Sequence, residues 1–214
     1  VVTLLVKLLL QRLHQGLLYL GTYVIVAVDT TLIAKASRKM FGVQNWHDSS
    51  SNPDRGSTIR WHHWGVFALV SRWQERWLSG PVLVRLITTR GQWKQSEHGL
   101  EPMSFWDLVL AGIYHLQTLI HFPLLVVADA YFSKAPFLNP FIETGVKVVT
   151  RLRADSKGWD DPLPNPPGKI GPKPKRGKAW RLSDLLKVLP RQTAKVWLYG
   201  KKVDVSYVSR VVWL

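Results

Sequence analysis

Apolar residues recur at helical spacing over residues 2–15, with Leu5, Leu8, Leu9 and Leu13 on one side and Lys7, Gln11 and His14 on the other. Gly16 and Gly21 punctuate the connection that follows. The pattern then changes to short apolar runs. Tyr-Val-Ile-Val-Ala-Val-Asp (23–29) opens a first strand over 23–33, and Phe-Pro-Leu-Leu-Val-Val-Ala-Asp (122–129) holds a later strand over 124–128. Both runs have the length and β-branched content of fully buried strands. Residues 35–58, rich in Ser, Asn, Asp, Gly and Lys, predict a long loop. Residues 61–73 predict a second strand, with Ser71 and Gly80-Pro81 near its exit, and 82–89 a third. After a polar linker (91–102), Ser104 is placed as an N-cap, with Asp107 three residues on. Phe105, Leu108, Val109, Ile113, Leu116 and Ile120 carry that helix to about His121. A second helix is predicted from Ser133 or Lys134 to Gly145, with Pro136 in its first turn. Residues 146–153 predict a fifth strand.

The resulting order is β-β-β-α-β-α-β, an antiparallel meander followed by βαβ steps with right-handed crossovers. It is the order of the RNase H-like fold, an α/β class with a mixed sheet in which the first and fourth strands lie side by side. Asp29 and Asp129, at the tips of those strands, are therefore expected to be neighbours. Each either starts a turn, as Asp often does, or belongs to a pair of carboxylates that share divalent metal. Residues 154–179 break the periodicity with Pro and Gly, which disfavour regular structure. Beyond them the pattern gives a short helix (183–188) and a hairpin, 194–199 with 203–213, turning at Gly200-Lys201. The expected organisation is an N-terminal helix and connection (1–22), an RNase H-like core (23–153), a basic Pro/Gly-rich loop (154–182) and a C-terminal part (183–214).

Charge narrows the partner. The 214 residues carry 29 Lys and Arg against 14 Asp and Glu, a formal +15. Residues 151–202 alone contribute +10. Such an excess points to nucleic acid rather than to an anionic membrane surface. Lys169, Lys173, Lys175, Arg176 and Lys178, interleaved with Pro172, Pro174 and two Gly, form either a solvated loop or an extended, mobile tether for phosphate backbone. Many of the 11 Trp lie beside basic residues, as in Arg60-Trp61-His62-His63-Trp64; most are expected at the core or its edge. The chain has no Cys, which excludes cysteine-ligated zinc and fits a reducing, cytoplasmic setting. Lys7, Gln11, Arg12, His14 and Gln15 break the first apolar stretch short of the ~20 residues a membrane span needs.

Val-Ala-Val-Asp-Thr-Thr-Leu-Ile (26–33), Ser-Arg-Lys-Met-Phe-Gly-Val-Gln-Asn-Trp-His (37–47) and His63-Trp64-Gly65-Val66 resemble the start of a DDE transposase domain of bacterial insertion sequences. Val-Val-Ala-Asp-Ala-Tyr-Phe-Ser (126–133) resembles the segment around that family's second acid. Arg151-Leu-Arg153, Pro166-Pro-Gly-Lys and Gly171-Pro-Lys-Pro-Lys-Arg-Gly-Lys178 resemble its Arg-Leu-Arg strand and basic insertion. The resemblance implies an endonuclease and strand transferase acting on transposon ends and target DNA, associated with the nucleoid and self-associating as a transposition complex. It implies two Mg²⁺ (or Mn²⁺) ions held by two Asp and one Glu, with Asp29 and Asp129 as the first two acids. The family's Glu lies in a Tyr-x2-Arg-x3-Glu pattern; Tyr207 and Arg210 have the first spacing, but position 214 is Leu. The third acid is therefore expected beyond Leu214, and Glu143 is a poor substitute. The alternative is a catalytically inactive RNase H-like module that binds nucleic acid. No His-x3-His spacing, nucleophile elbow, Walker loop or Gly-x-Gly-x-x-Gly appears.

Overall fold

The computed structural model describes residues 4, 6–8, 19–20, 22–37, 39–47, 58–73, 76–88, 104–153, 155–165, 171–172, 174–198 and 200–212. They fall into two compact units, residues 1–151 and 152–214.

The first unit is a mixed α/β structure of RNase H-like type. Its strands are β1 (Tyr19–Leu20), β2 (Tyr23–Ala34), β3 (Val43–His47), β4 (Thr58–Trp73), β5 (Arg76–Ile87), β6 (Leu124–Ala128) and β7 (Lys147–Thr150). They form one sheet along the path β3-β4-β2-β6-β7, with β5 also on β4 and β1 on β2. Helix α1 (Phe105–Leu119) precedes β6. β2 pairs antiparallel with β4 and parallel with β6, and β6 pairs parallel with β7. The expected adjacency of the first and fourth core strands is thus present.

β2 is buried on one face only. Val24, Val26 and Val28 are sealed in the core, while Tyr23, Ile25 and Ala27 are half-buried. Alternation of side chains along the strand produces this pattern, so the strand is not buried on both faces as its apolar run implied. On the inner face, these valines meet Phe67 and Leu69 of β4, Leu124 and Val126 of β6, and Val109, Ile113 and Leu116 of α1. Residues 4 and 6–8 are helical, and Val6 belongs to the same core.

α1 begins where the sequence placed it. Ser104 Oγ accepts from Asp107 N (3.2 Å), and Ser104 N donates to Asp107 Oδ2 (3.0 Å), a reciprocal capping box. Gly112 lets the helix approach the sheet. A Cβ there would come within 2.9 Å of two Phe67 ring carbons and closer still to a third.

Several expected boundaries move. β3 lies inside the stretch read as a loop; it turns in at Gly42 (φ 79°) and pairs with the first residues of β4. β5 starts six residues earlier than 82, running through Gly80-Pro81. The register passes from Phe67↔Leu83 to Ala68↔Pro81, leaving Val82 as the extra residue of a bulge, a place where a strand tolerates proline. In place of the helix expected over 133–145 there are a one-turn helix α2 (Ala135–Leu138) and a 3₁₀ turn (Asn139–Phe141), preceded by another 3₁₀ turn (Ala130–Phe132). Pro140 has no N–H to continue the helical ladder. Tyr114 and Gln117 of α1 donate to the carbonyls of Pro140 and Thr144, holding that segment. β7 stops at Thr150, before Arg151-Leu-Arg153.

The second unit contains two small antiparallel ribbons and a helix. β8 (Lys157–Trp159) pairs with β9 (Ala179–Arg181), α3 (Leu182–Val188) follows, and β10 (Gln192–Leu198) pairs with β11 (Lys201–Tyr207) through Gly200 (φ 77°). The stretch expected to lack regular structure therefore carries a strand at its start and leads into another. Its neck is stapled by Asp160 N to Lys178 O (3.0 Å) and Gly177 N to Asp160 O (2.9 Å). β11 ends at Tyr207, short of the strand expected to reach 213.

Candidate active site

Asp29 is in β2, and Asp129 directly follows β6. The parallel register ends at Val28↔Ala128, so the two aspartates are the next residues along neighbouring strands. Such strands lie ~4.8 Å apart. Side-chain alternation also puts both on one face. Val26 and Val126 are in register and inside the core; Asp29 and Asp129, three residues on, are exposed on the face away from α1. The sheet brings together two carboxylates separated by a hundred residues of chain.

Both carboxylates are aimed by local backbone. Asp29 Oδ1 accepts from Thr30 N at 2.7 Å, and Asp129 Oδ1 accepts from Tyr131 N at 3.0 Å, capping the 3₁₀ turn. Thr150 Oγ1 donates to the Asp129 carbonyl at 2.5 Å, tying the tip of β7 to the tip of β6. Tyr131 stacks on Trp106 (5.7 Å between centroids, 25°) and meets Phe105 edge-on. Burial first, and then the Asp129 charge, raise the Tyr131 phenol above its ordinary pKa. It stays protonated at neutral pH, a neutral donor beside an anionic site.

Thr150, Tyr131 and Trp106 were not singled out in the sequence. Position gave the signal for two of them: Thr150 ends a strand parallel to β6, and Tyr131 follows the aspartate by two. Trp106 carried no such mark.

Glu143 is elsewhere. It lies in the turn before β7, so it belongs to the sheet edge where β6 and β7 begin; Asp129 is at the opposite end, where β6 stops, and Asp29 beside it is mid-way along β2, which runs on to Ala34 rather than ending at the aspartate as expected. Among the described residues no three His, Asp or Glu side chains gather as a metal-ligand group. His62 and His63 point to opposite faces of β4. His62 Nε2 lies 2.9 Å from the Phe41 carbonyl, and His63 stacks on Phe105 (5.6 Å, 16°).

Of the basic run, Lys169 and Lys173 lie outside the described residues. Lys175 is exposed. Arg176 and Lys178 lie against tryptophan rings: the Arg176 guanidinium sits 4.2 Å from the Trp159 ring centroid, and Lys178 Nζ 4.0 Å from that of Trp180. Arg210 covers Trp180 as well (4.6 Å). Asp160 accepts from Trp180 Nε1 (2.7 Å) and from Arg210 Nε and Nη2 (3.0 and 2.7 Å). The Trp180 bond, then Arg210 and Lys178, hold the Asp160 carboxyl below its ordinary pKa against the opposing effect of desolvation. Trp61, Trp64, Trp106, Trp159 and Trp180 are half-buried, whereas Trp77 and Trp197 are two-thirds exposed.

A family model described as DDE superfamily endonuclease matches residues 3–197. The chain belongs to that family. No curated protein and no solved structure matches it. Membership makes this a nuclease- or transposase-type protein whose substrate is DNA, in a family that works with divalent metals. No helix among the described residues of the DDE endonuclease chain is long and apolar enough to cross a membrane.

Proposed function

We propose that the chain is a DNA transposase catalytic domain in which Asp29 and Asp129 hold Mg²⁺ or Mn²⁺ for phosphodiester hydrolysis and strand transfer. The β2–β6 register, which sets both carboxylates on one exposed sheet face, carries the reading. The donor set fits a hard cation. Each aspartate has one oxygen fixed by a backbone N–H and the other available, and carboxylate oxygens are what Mg²⁺ prefers. Bound there, a divalent metal would lower the pKa of water or of a DNA 3′-hydroxyl and stabilise charge on the leaving oxygen. Asp29 and Asp129 supply negative charge at fixed positions, and Thr150 holds the second of them in register. Tyr131 offers a protonated hydroxyl to a phosphate or sugar oxygen without adding charge. The basic surface of the second unit supports DNA as partner, and Lys169, Lys173, Lys175, Arg176 and Lys178 are its proposed phosphate contacts.

Two carboxylates leave a metal under-neutralised, so binding is expected to be weak and strand nicking slight. Electron paramagnetic resonance of Mn²⁺ tests the site. The parent should bind the ion, and Asp29→Asn and Asp129→Asn should each abolish binding while leaving the fold intact. Parental Mn²⁺ binding by both variants would sink the assignment. A second reading, an inactive module that binds nucleic acid, is favoured by the lack of a third ligand among the described residues. DNA binding by a parent that takes up no Mn²⁺ would select it.

A further inference from the structure

The ribbon formed by β8 and β9 has two unlike faces. In an antiparallel pair, residues directly opposite share a face and successive residues alternate. Gly158↔Trp180 therefore lie on one face; Lys157↔Arg181 and Trp159↔Ala179 lie on the other. On the Trp180 face, Arg210 and Lys178 lie over the ring and Arg210 is bonded to Asp160. The opposite face carries Lys157 and Arg181 directly across from each other, with Arg176 stacked on Trp159 beside them. Like charges placed directly opposite on a ribbon are destabilising. The described ion pairs of this unit, Lys187–Asp184 and Arg210–Asp160, do not relieve them.

A hollow of about 290 Å³ is lined by Lys157 and Arg181 together with Ala179, Trp180 and Asp184. Asp184 is the carboxylate at its rim, and its oxygen is 3.7 Å from Lys187 Nζ. Two cations thus face one carboxylate that already has a neighbouring lysine.

We infer that the Lys157/Arg181 hollow is a phosphate-binding site for nucleic-acid backbone, an inference that rests on the DNA-acting reading proposed above. A guanidinium and an ammonium held across a ribbon match the oxygens of a phosphodiester. Bound phosphate would offset the like charges of Lys157 and Arg181 across the ribbon. The contact positions DNA without reading its sequence.

The test is a salt titration of duplex binding by the full chain in EDTA, where metal chemistry plays no part. Its outcome is therefore independent of the role proposed for Asp29 and Asp129. Lys157→Ala/Arg181→Ala should flatten the slope of log affinity against log salt by about 0.9, for the one phosphate the site holds, equally for unrelated sequences. Lys157→Arg/Arg181→Lys should keep the parental slope. Lys195→Ala/Lys201→Ala, which removes the same charge from the β10–β11 hairpin, should change it much less. A parental slope in the first variant, or an equal flattening in the hairpin control, would overturn the site in favour of diffuse charge. Inorganic phosphate added at constant ionic strength should weaken duplex binding by the parent more than by the double-alanine variant, as competition for a backbone site requires; an equal effect on both would overturn the assignment.

Discussion

His63 makes the stability of the first unit depend on pH in a calculable way. The ring is 5% exposed and stacked on Phe105, and burial lowers its pKa from 6.5 to about 4. The unfolded chain therefore takes up a proton near pH 6.5 that the folded chain refuses until about pH 4. Where the unfolded state binds more protons, stability falls as pH falls. The contribution is fully present above pH 6.5 and is lost progressively down to about pH 4. The whole shift corresponds to about 3 kcal/mol, of which about 2 kcal/mol is gone by pH 5. Other groups titrate in the same range, so the useful quantity is a difference. His63→Phe preserves an aromatic ring against Phe105 and removes the titration. Urea unfolding followed by circular dichroism at pH 8 and pH 5 should show the variant losing about 2 kcal/mol less than the parent between those values. Parallel losses in parent and variant would show that His63 is not held neutral in the core, and the argument would fail.

Gly112→Ala should destabilise the first unit. Its new methyl group would overlap the fully buried Phe67 ring, and overpacking of about 1–3 kcal/mol outweighs the roughly 1 kcal/mol gained in helix propensity. The urea midpoint should fall, and Phe67→Leu in the same chain should recover part of it; an unchanged midpoint for the single variant refutes the close approach. Thr150→Val removes the hydroxyl bonded to the Asp129 carbonyl, worth about 1 kcal/mol. Amide exchange at Phe132 should quicken and Mn²⁺ affinity should drop several-fold, and unchanged affinity would show that β7 does not steady the site.

The parts of this fold that could be read in sequence are those whose signal is local. β6 and most of β2 announce themselves as β-branched runs, α1 as an apolar period with a capping box, and the β10–β11 hairpin as two strands around Gly200. The aspartate pair was legible because strand order alone makes β2 and β6 neighbours. What could not be read depends on a partner distant in the chain. β3 contains Gln44 and Asn45 and is a strand only because β4 offers it a free edge. Pro81 marks the end of a strand in isolation, yet the bulge at Val82 carries β5 past it. β8 and β9 are three residues each, too short for periodicity, and exist through pairing across some twenty residues. The same dependence hid Lys157 and Arg181. In sequence they are two cations among many; only the ribbon sets them face to face. The ring contacts of the basic run were hidden for a related reason. Pro and Gly correctly excluded a helix there, but Arg176 and Lys178 lie close enough to Trp159 and Trp180 to be held by ring faces. Cation–π contacts of this kind contribute about 0.5–1 kcal/mol each at exposed sites, enough to bias where the cations rest without locking them. A phosphate arriving at this unit therefore meets cations already oriented by tryptophan, and less of their side-chain freedom remains to be lost on binding.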